Sequence, residues 1–312
     1  RENAIKLAEL HLAQYPGLIS ELLLLQNDPN PRVRFQLLCT LGSVGNNQVV
    51  NNARNKMLFN DIKDPWMQIA ALSASSLQPE LLLAEVTGRF DTANAAFATM
   101  TERLSEMIAA TESIEKIRSL IVITIEQGHT RDFCWEAPVM EGIAGGIKRN
   151  NAATQEGLQA ELPVLIKAGF DHPDKGVRAA CYHLITVIGL PKGPLLEATM
   201  DRVVAVASDT TNTEDRRAEA LRFVRLDPSE KYIPLLEHAA QSGSSPVLQM
   251  EALKAFNKIP GRAVSQFVLG QWTFMTPEVR EVALSTFMED TARMNLLMGA
   301  VEKGDIQKTA IG

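Results

Sequence analysis

Aromatic residues are scarce in this chain, at 5% of 312 positions, although hydrophobic residues as a whole reach 46%. A β-sandwich or barrel builds its core from aromatic and β-branched side chains at alternating positions, and no convincing period-two run is present. The apolar material is instead rich in Leu and Ala, which suits helices packed closely on one another, and there is enough of it for a continuous core. The composition therefore predicts an all-α chain with essentially no sheet.

Cysteine is equally sparse. Cys39, Cys134 and Cys181 stand far apart, an odd number at spacings that exclude a disulfide framework, a zinc ribbon and the Cys-x-x-Cys-His of c-type haem attachment. Each lies in an apolar helical context, where a thiol acts as a small hydrophobe, with a single disulfide as the alternative. Positive charge is in deficit: 31 Lys and Arg face 37 Asp and Glu, for a net charge of −6. That balance argues against a phosphate-tracking protein, which needs clustered cations, though a local basic stripe remains compatible with it. No apolar run approaches the roughly eighteen residues of a membrane-spanning helix. The chain starts at Arg1 without a signal-peptide pattern, so it is read as a fragment or a processed form.

Catalytic signatures are missing as well. The sequence has no Gly-x-Ser-x-Gly elbow, no Gly-rich phosphate loop and no Cys with a positioned His. The histidines, His11, His129, His172, His183 and His238, form no i,i+4 ligand pair. No catalytic residue, cofactor or metal site is expected, and the chain is read as not an enzyme.

What is present is a repeat. A loop carrying Asp, Asn, Ser, Thr or Pro is followed by an anchor, a polar residue and an Ala- or Leu-rich helix. Copies run through Asn27–Arg34, Asp64–Gln68, Asp171–Arg178, Asn212–Arg217, Ser245–Gln249 and Thr276–Arg280, with a weaker one at Ala137–Met140. Anchors at 33, 67, 139, 177, 216, 248 and 279 give steps of 34, 72, 38, 39, 32 and 31. The step of 72 leaves room for one degenerate unit. Such periods fit helix–turn–helix solenoid units. Asp, Asn, Ser or Thr caps orphan N–H groups, and Pro is tolerated in a first turn. Gly42 and Gly189 sit where a helix end favours a left-handed residue.

The intervening segments, Asn47–Phe59, Asn94–Ala110, Gln155–Gly169, Gly193–Ser208, Ser229–Gln241 and Gly261–Trp272, are read as the second helices of the pairs. Glu112–Gln127 is the second helix of the degenerate unit. A last helix near Glu289–Lys303 is either a lid or the point where the chain stops inside a repeat. The expected organisation is one array over residues 1–312, irregular near 90–150, with a bend and a groove in that middle section.

The residues after the anchors, Arg34, Arg178, Arg217 and Arg280 with Gln68 and Gln249, are read as a structural ladder bonded to inter-helix loops. An Arg fork bridges two acceptors at once. A line of donors for an acidic peptide is the alternative. Arg32, Gln36, Gln68, Arg149, His183, Arg222 and Lys254 are the exposed candidates for partner binding, on a face lined by the second helices. Trp66 and Trp272 are expected to wedge between repeats. Gly142, Gly145 and Gly146 inside a helix cost stability. Either a neighbouring backbone approaches closely there, or the glycines form a cleft floor or kink.

Asp-Pro turns, Val-Arg anchors and Leu-Gly endings resemble HEAT repeats. Asp28–Gly42, Asp64–Leu77 and Trp135–Arg149 together resemble the helical-repeat region of large planctomycete and Bacteroidetes proteins labelled membrane-bound dehydrogenases or haem-binding proteins. The resemblance implies a β-propeller before the repeats, a cytochrome domain after them, and a periplasmic or envelope location. Both redox parts would lie outside these residues. The function expected is a non-catalytic scaffold that docks protein or flanking domains of the same polypeptide, without nucleic acid or direct membrane insertion. The alternative is an enzyme of the alkylpurine DNA glycosylase type, which requires a basic groove with an aromatic residue and a carboxylate at its centre.

Overall fold

The computed structural model describes residues 1–127, 133–150, 152–241, 243–288 and 291–307. Every regular element among them is helical, with no strand. The chain divides into two compact units, Arg1–Ile188 and Gly189–Gly312. The division falls after Ile188. Gly189 (φ 83°) and Gly193 (φ 140°) stand at that point, in backbone conformations that L side chains rarely adopt.

The first unit opens with α1 (Glu2–Glu9), α2 (Leu18–Leu23), α3 (Pro31–Gly42) and α4 (Gln48–Asn60). It continues with α5 (Pro65–Leu72), α6 (Pro79–Gly88), α7 (Ala95–Thr111) and α8 (Ile114–Gln127). It closes with α9 (Glu136–Arg149), α10 (Ala152–Gly157), α11 (Leu162–Asp171) and α12 (Lys175–Ile188). The second unit holds α13 (Pro194–Ser208), α14 (Glu214–Arg222), α15 (Ile233–Ala240) and α16 (Pro246–Phe256). After these come α17 (Ala263–Gln271), α18 (Pro277–Phe287) and α19 (Thr291–Lys303).

Local chemistry sets the helix starts. Side chains of Asn30, Asp64, Asn94, Thr213, Ser245 and Thr276 accept from N–H groups in the first turns of their helices. Pro31, Pro65, Pro246 and Pro277 occupy first-turn positions whose missing N–H has no helical partner. The anchors Val33, Met67, Val139, Val177, Leu248 and Val279 are buried. Arg216, at the remaining anchor position, is half-exposed and pairs with Glu219 at 3.2 Å.

In the first unit, α1, α3, α5, α7, α9 and α12 pack side by side in that order; in the second, α14, α16 and α18 do so. All of these but α1 and α7 begin at the anchors of the sequence motif, and they are called the first helices below. Asn94–Ala110, expected as a second helix, is α7 and belongs to the first-helix row, with Phe97 as its buried anchor. The stretch read as the degenerate unit holds α7 and α8. Its Phe97-Ala98 lacks the apolar–polar signature of the other copies. The second helix of the preceding pair is α6, which carries no cap signal other than Pro79. The segment Gln155–Gly169 is broken into the end of α10, a 3-10 turn at Gln159–Glu161 and the start of α11, whose first turn holds Pro163.

The glycines of α9 mark the closest helix contact in the first unit. A Cβ on Gly142 would lie 2.3 Å from Glu102 O, and one on Gly146 would lie 2.4 Å from Glu106 O. Spaced one turn apart, they let the α9 backbone rest on α7, so close approach is the reason for these two residues. Gly42 differs from its expected role. It is the last residue of α3 and has no positive φ, and a Cβ there would meet Ala74 Cα at 3.3 Å.

Candidate functional site

The residues following the anchors turn back onto loop carbonyls. In the first unit, Arg34 donates through Nε and Nη2 to both oxygens of Asp61, at 2.6 and 2.7 Å, and through Nη1 to Asp28 O at 2.7 Å. Arg178 Nη1 donates to His172 O (2.7 Å) and Pro173 O (2.8 Å). In the second unit, Arg217 Nε donates to Ala207 O (2.8 Å) and Gln249 Nε2 to Gln241 O (2.7 Å). Arg280 Nε donates to Trp272 O at 3.1 Å. Apart from the two Arg34 bonds to Asp61, at the end of α4, each bond closes the loop that precedes its own helix.

The candidate partner-binding residues separate into three groups. Gln68 is 2% exposed: its Nε2 donates to Ile62 O and Ala96 O, and its Oε1 accepts from Arg103. It is structural and unavailable to a partner, because the position after an anchor points into the loop. Arg32 is exposed on the first turn of α3, and Gln36 is half-buried, donating to Thr40 Oγ1 at 3.2 Å. The others, Arg149, His183, Arg222 and Lys254, join charged clusters. All seven lie on first helices, not on the second-helix face expected for them, because the positions that follow an anchor belong to the helix the anchor begins.

In the first unit, His183 Nδ1 lies 2.6 Å from Glu141 Oε2 and its Nε2 lies 2.8 Å from Lys148 Nζ. An ammonium only donates, so Nε2 accepts and the ring proton sits on Nδ1, facing the carboxylate. Arg149 pairs with Glu106 at 2.8 Å. In the second unit, Glu251 is 7% exposed and receives three cations. Arg222 and Arg225 approach its Oε2 at 3.4 and 3.2 Å, and Lys254 its Oε1 at 2.9 Å. Spacing on a single helix shows only the Glu251–Lys254 contact; the α14–α16 packing supplies the others.

An apolar opening of the first unit lies between the second helices α6 and α8, a cavity of about 580 Å³. Leu83, Ala84 and Thr87 form one wall, Leu120, Ile123 and Thr124 the other; Ile108 and Val139 lie beneath and Trp135 at one side. Ile123 is 45% exposed. At the end formed by the first turns of α6 and α8, Lys116 is held by Glu80 and Glu112, both at 2.7 Å, with Glu115 beside it. The bond from Glu112, then that from Glu80, pushes the Lys116 ammonium up to about 12. The bond to Lys116 lowers Glu80, and backbone and Ser113 hydrogen bonds lower Glu115. Glu80 and Glu115 are thus held as carboxylates, and the rim is acidic on balance. In the second unit an open groove of about 610 Å³ runs between α13 and α15, past Met200, Val204, Tyr232 and Leu235.

Of the tryptophans, Trp272 is buried, with Arg280 over its ring at 5.8 Å. Trp66 is 65% exposed and wedges between nothing, because the first turn of α5 projects it outward.

Among the buried charges that no sequence motif marked are Glu136 and Arg293. Glu136 is fully buried, and its Oε2 lies 3.0 Å from His172 Nε2, yet no donor is aligned on either carboxylate oxygen. Burial first, and Asp174 second, push its carboxyl up to about 7. Cys181 is pushed up to about 12 by burial, with Glu136 and Glu141 adding to the effect. Arg293 is 1% exposed and donates to Thr286 O (3.2 Å), Gly261 O and Ile259 O. A signal existed for both: Glu136 shares a face with Met140 and Ile143, and Arg293 with Leu297 and Ala300, at helical spacing.

The three cysteines are not bridged to one another. No group of three or more His, Cys, Asp or Glu able to hold a metal occurs among the described residues, and no helix there is long and apolar enough to cross a membrane. His129 lies outside the described residues. No protein-family model matches the chain, and no curated protein sequence matches it.

Proposed function

We propose that this chain is a non-catalytic helical-repeat scaffold, built of HEAT-like helix pairs, that docks protein segments. The observation that carries the reading is the recurring loop closure by the residue after each anchor. It appears at Arg34 and Arg178 in one unit and at Arg217, Gln249 and Arg280 in the other. A device repeated at five helix starts fixes the loop that leads into each of them, and stacked helix pairs present extended surfaces for recognition. An apolar opening between second helices gives that surface a place for a partner's side chains.

The acidic rim at Glu80, Glu112 and Glu115 is the opposite of what a phosphate backbone requires, which favours a protein partner over nucleic acid. On the resemblance of Asp28–Gly42, Asp64–Leu77 and Trp135–Arg149 we take the partners to be flanking domains of a larger envelope redox protein. The test is a pull-down of the chain against those domains, with a parallel measurement of retention on duplex DNA at rising salt. Capture of a domain without DNA retention is expected. Salt-dependent retention on DNA with no domain captured would replace the scaffold with the nucleic-acid enzyme.

A further inference from the structure

We infer that the cavity between α6 and α8 receives one apolar face of a partner's amphipathic helix that carries Lys or Arg at one end, an inference that rests on the scaffold reading. Two observations point to that occupant. First, the walls supply aliphatic side chains from both helices, with Leu83 facing Leu120 and Ile123, and Trp135 available as a half-buried aromatic contact. An amphipathic helix docks by placing spaced apolar side chains in such a groove. Second, the charged groups that line it are confined to one end and are unbalanced. Lys116 is shared by Glu80 and Glu112, while Glu115 is offset only by Arg118, which itself pairs with Glu161, so four carboxylates stand against two cations. Each Lys116 bond is made on the protein surface, where such pairs hold weakly and exchange readily. A cation arriving from the partner therefore meets uncompensated negative charge, whereas a carboxylate is repelled. Complementary charge at the end of an apolar groove fixes the direction in which a helix lies.

The test uses the 312-residue chain and a displayed library of helical peptides. Their apolar face is drawn from Leu, Ile and Phe, and the charge at either end is random. Selection is for binding to the chain, with counter-selection on Ile123→Arg, which blocks the cavity from an exposed position and leaves the core intact. The expected result is enrichment of peptides with Lys or Arg at one end only. Those peptides lose affinity by about ten-fold or more on Glu80→Lys/Glu115→Lys, and they alter Trp135 emission on binding. Enrichment of acidic ends, or failure to recover any binder that Ile123→Arg abolishes, overturns the inference. The pull-down with flanking domains is repeated on Ile123→Arg. Capture that persists leaves the scaffold standing and removes the cavity as its docking site, whereas absence of capture by the parent chain removes the scaffold itself.

Discussion

Glu136 and His172 face each other inside the first unit, Oε2 to Nε2 at 3.0 Å, with side chains almost fully removed from water. The Asp174 N–H donates to His172 Nδ1 at 3.2 Å, which leaves the ring proton on Nε2, pointed toward the carboxyl. The two groups are close, but not aligned for a hydrogen bond, so burial dominates and Glu136 is raised to about 7.

That shift makes a pH prediction. The folded-state value lies above the ordinary 4.5, so the folded chain holds the proton more tightly than the unfolded one. Below pH 4.5 both states are protonated and the group costs nothing. Between 4.5 and 7 stability falls as pH rises, by about 1.4 kcal/mol per unit at most, and above 7 the full penalty is present. Urea unfolding from pH 4.5 to 8 will show Glu136→Gln gaining stability over the parent chain across that window. Parallel curves would mean that Glu136 is ionised at no cost.

The glycines of α9 predict opposite signs for neighbouring substitutions. Gly142→Ala and Gly146→Ala drive a methyl into backbone oxygens at 2.3 and 2.4 Å, so one helix must shift. Each will cost about 3 kcal/mol. Gly145→Ala meets only the end of the flexible Glu106 side chain, at 3.3 Å, and will be neutral or stabilise by up to about 1 kcal/mol. Thermal denaturation of the three variants decides it. A similar loss for all three would deny the backbone contact.

The two arginines at the start of α3 separate structure from surface. Arg34 holds Asp61 with two bonds and loop carbonyls with a third. Arg34→Ala will destabilise by about 2–3 kcal/mol, as hydrogen bonds to charged groups do. Arg32 is exposed, and Arg32→Ala will stay within about 0.5 kcal/mol. Equal effects in chemical denaturation would contradict the loop-closing role of Arg34.

Around Glu251 the prediction concerns an anion. Glu251→Ala leaves Arg222, Arg225 and Lys254 facing one another, and the variant will lose about 2 kcal/mol. Sulfate will restore part of the loss beyond a potassium chloride control of matched ionic strength, because a tetrahedral anion replaces the carboxylate. If sulfate raises the melting temperature of variant and parent equally, the three cations do not act together.

Much of this was legible in the residues. The caps at Asn30, Asp64, Thr213, Ser245 and Thr276, and the buried anchors behind all of them but Thr213, follow from preferences that act within a few residues. The loop-closing arginines were legible for the same reason, since donor and acceptors are usually less than ten positions apart. The row to which α7 belongs was not legible. Its Phe97 anchor lacks a following polar residue, and only packing between α5 and α9 assigns it. Gln68 shows the limit from the other side. A polar residue on an amphipathic helix reads as exposed, yet the Ile62 and Ala96 carbonyls make burial the better environment for its amide.

The sequence by itself therefore determined an all-helical chain, where most of its first helices start, and which of their residues face inward. Helical periodicity and capping are local and leave little freedom there. Only the tertiary structure decided what meets across helices: Gly142 and Gly146 against α7, Arg222 and Lys254 on Glu251, Glu136 opposite His172, and an open space between α6 and α8. Periodicity fixes the direction of a side chain about its own axis. Which neighbour occupies that direction depends on how successive pairs stack, and no local rule contains that information.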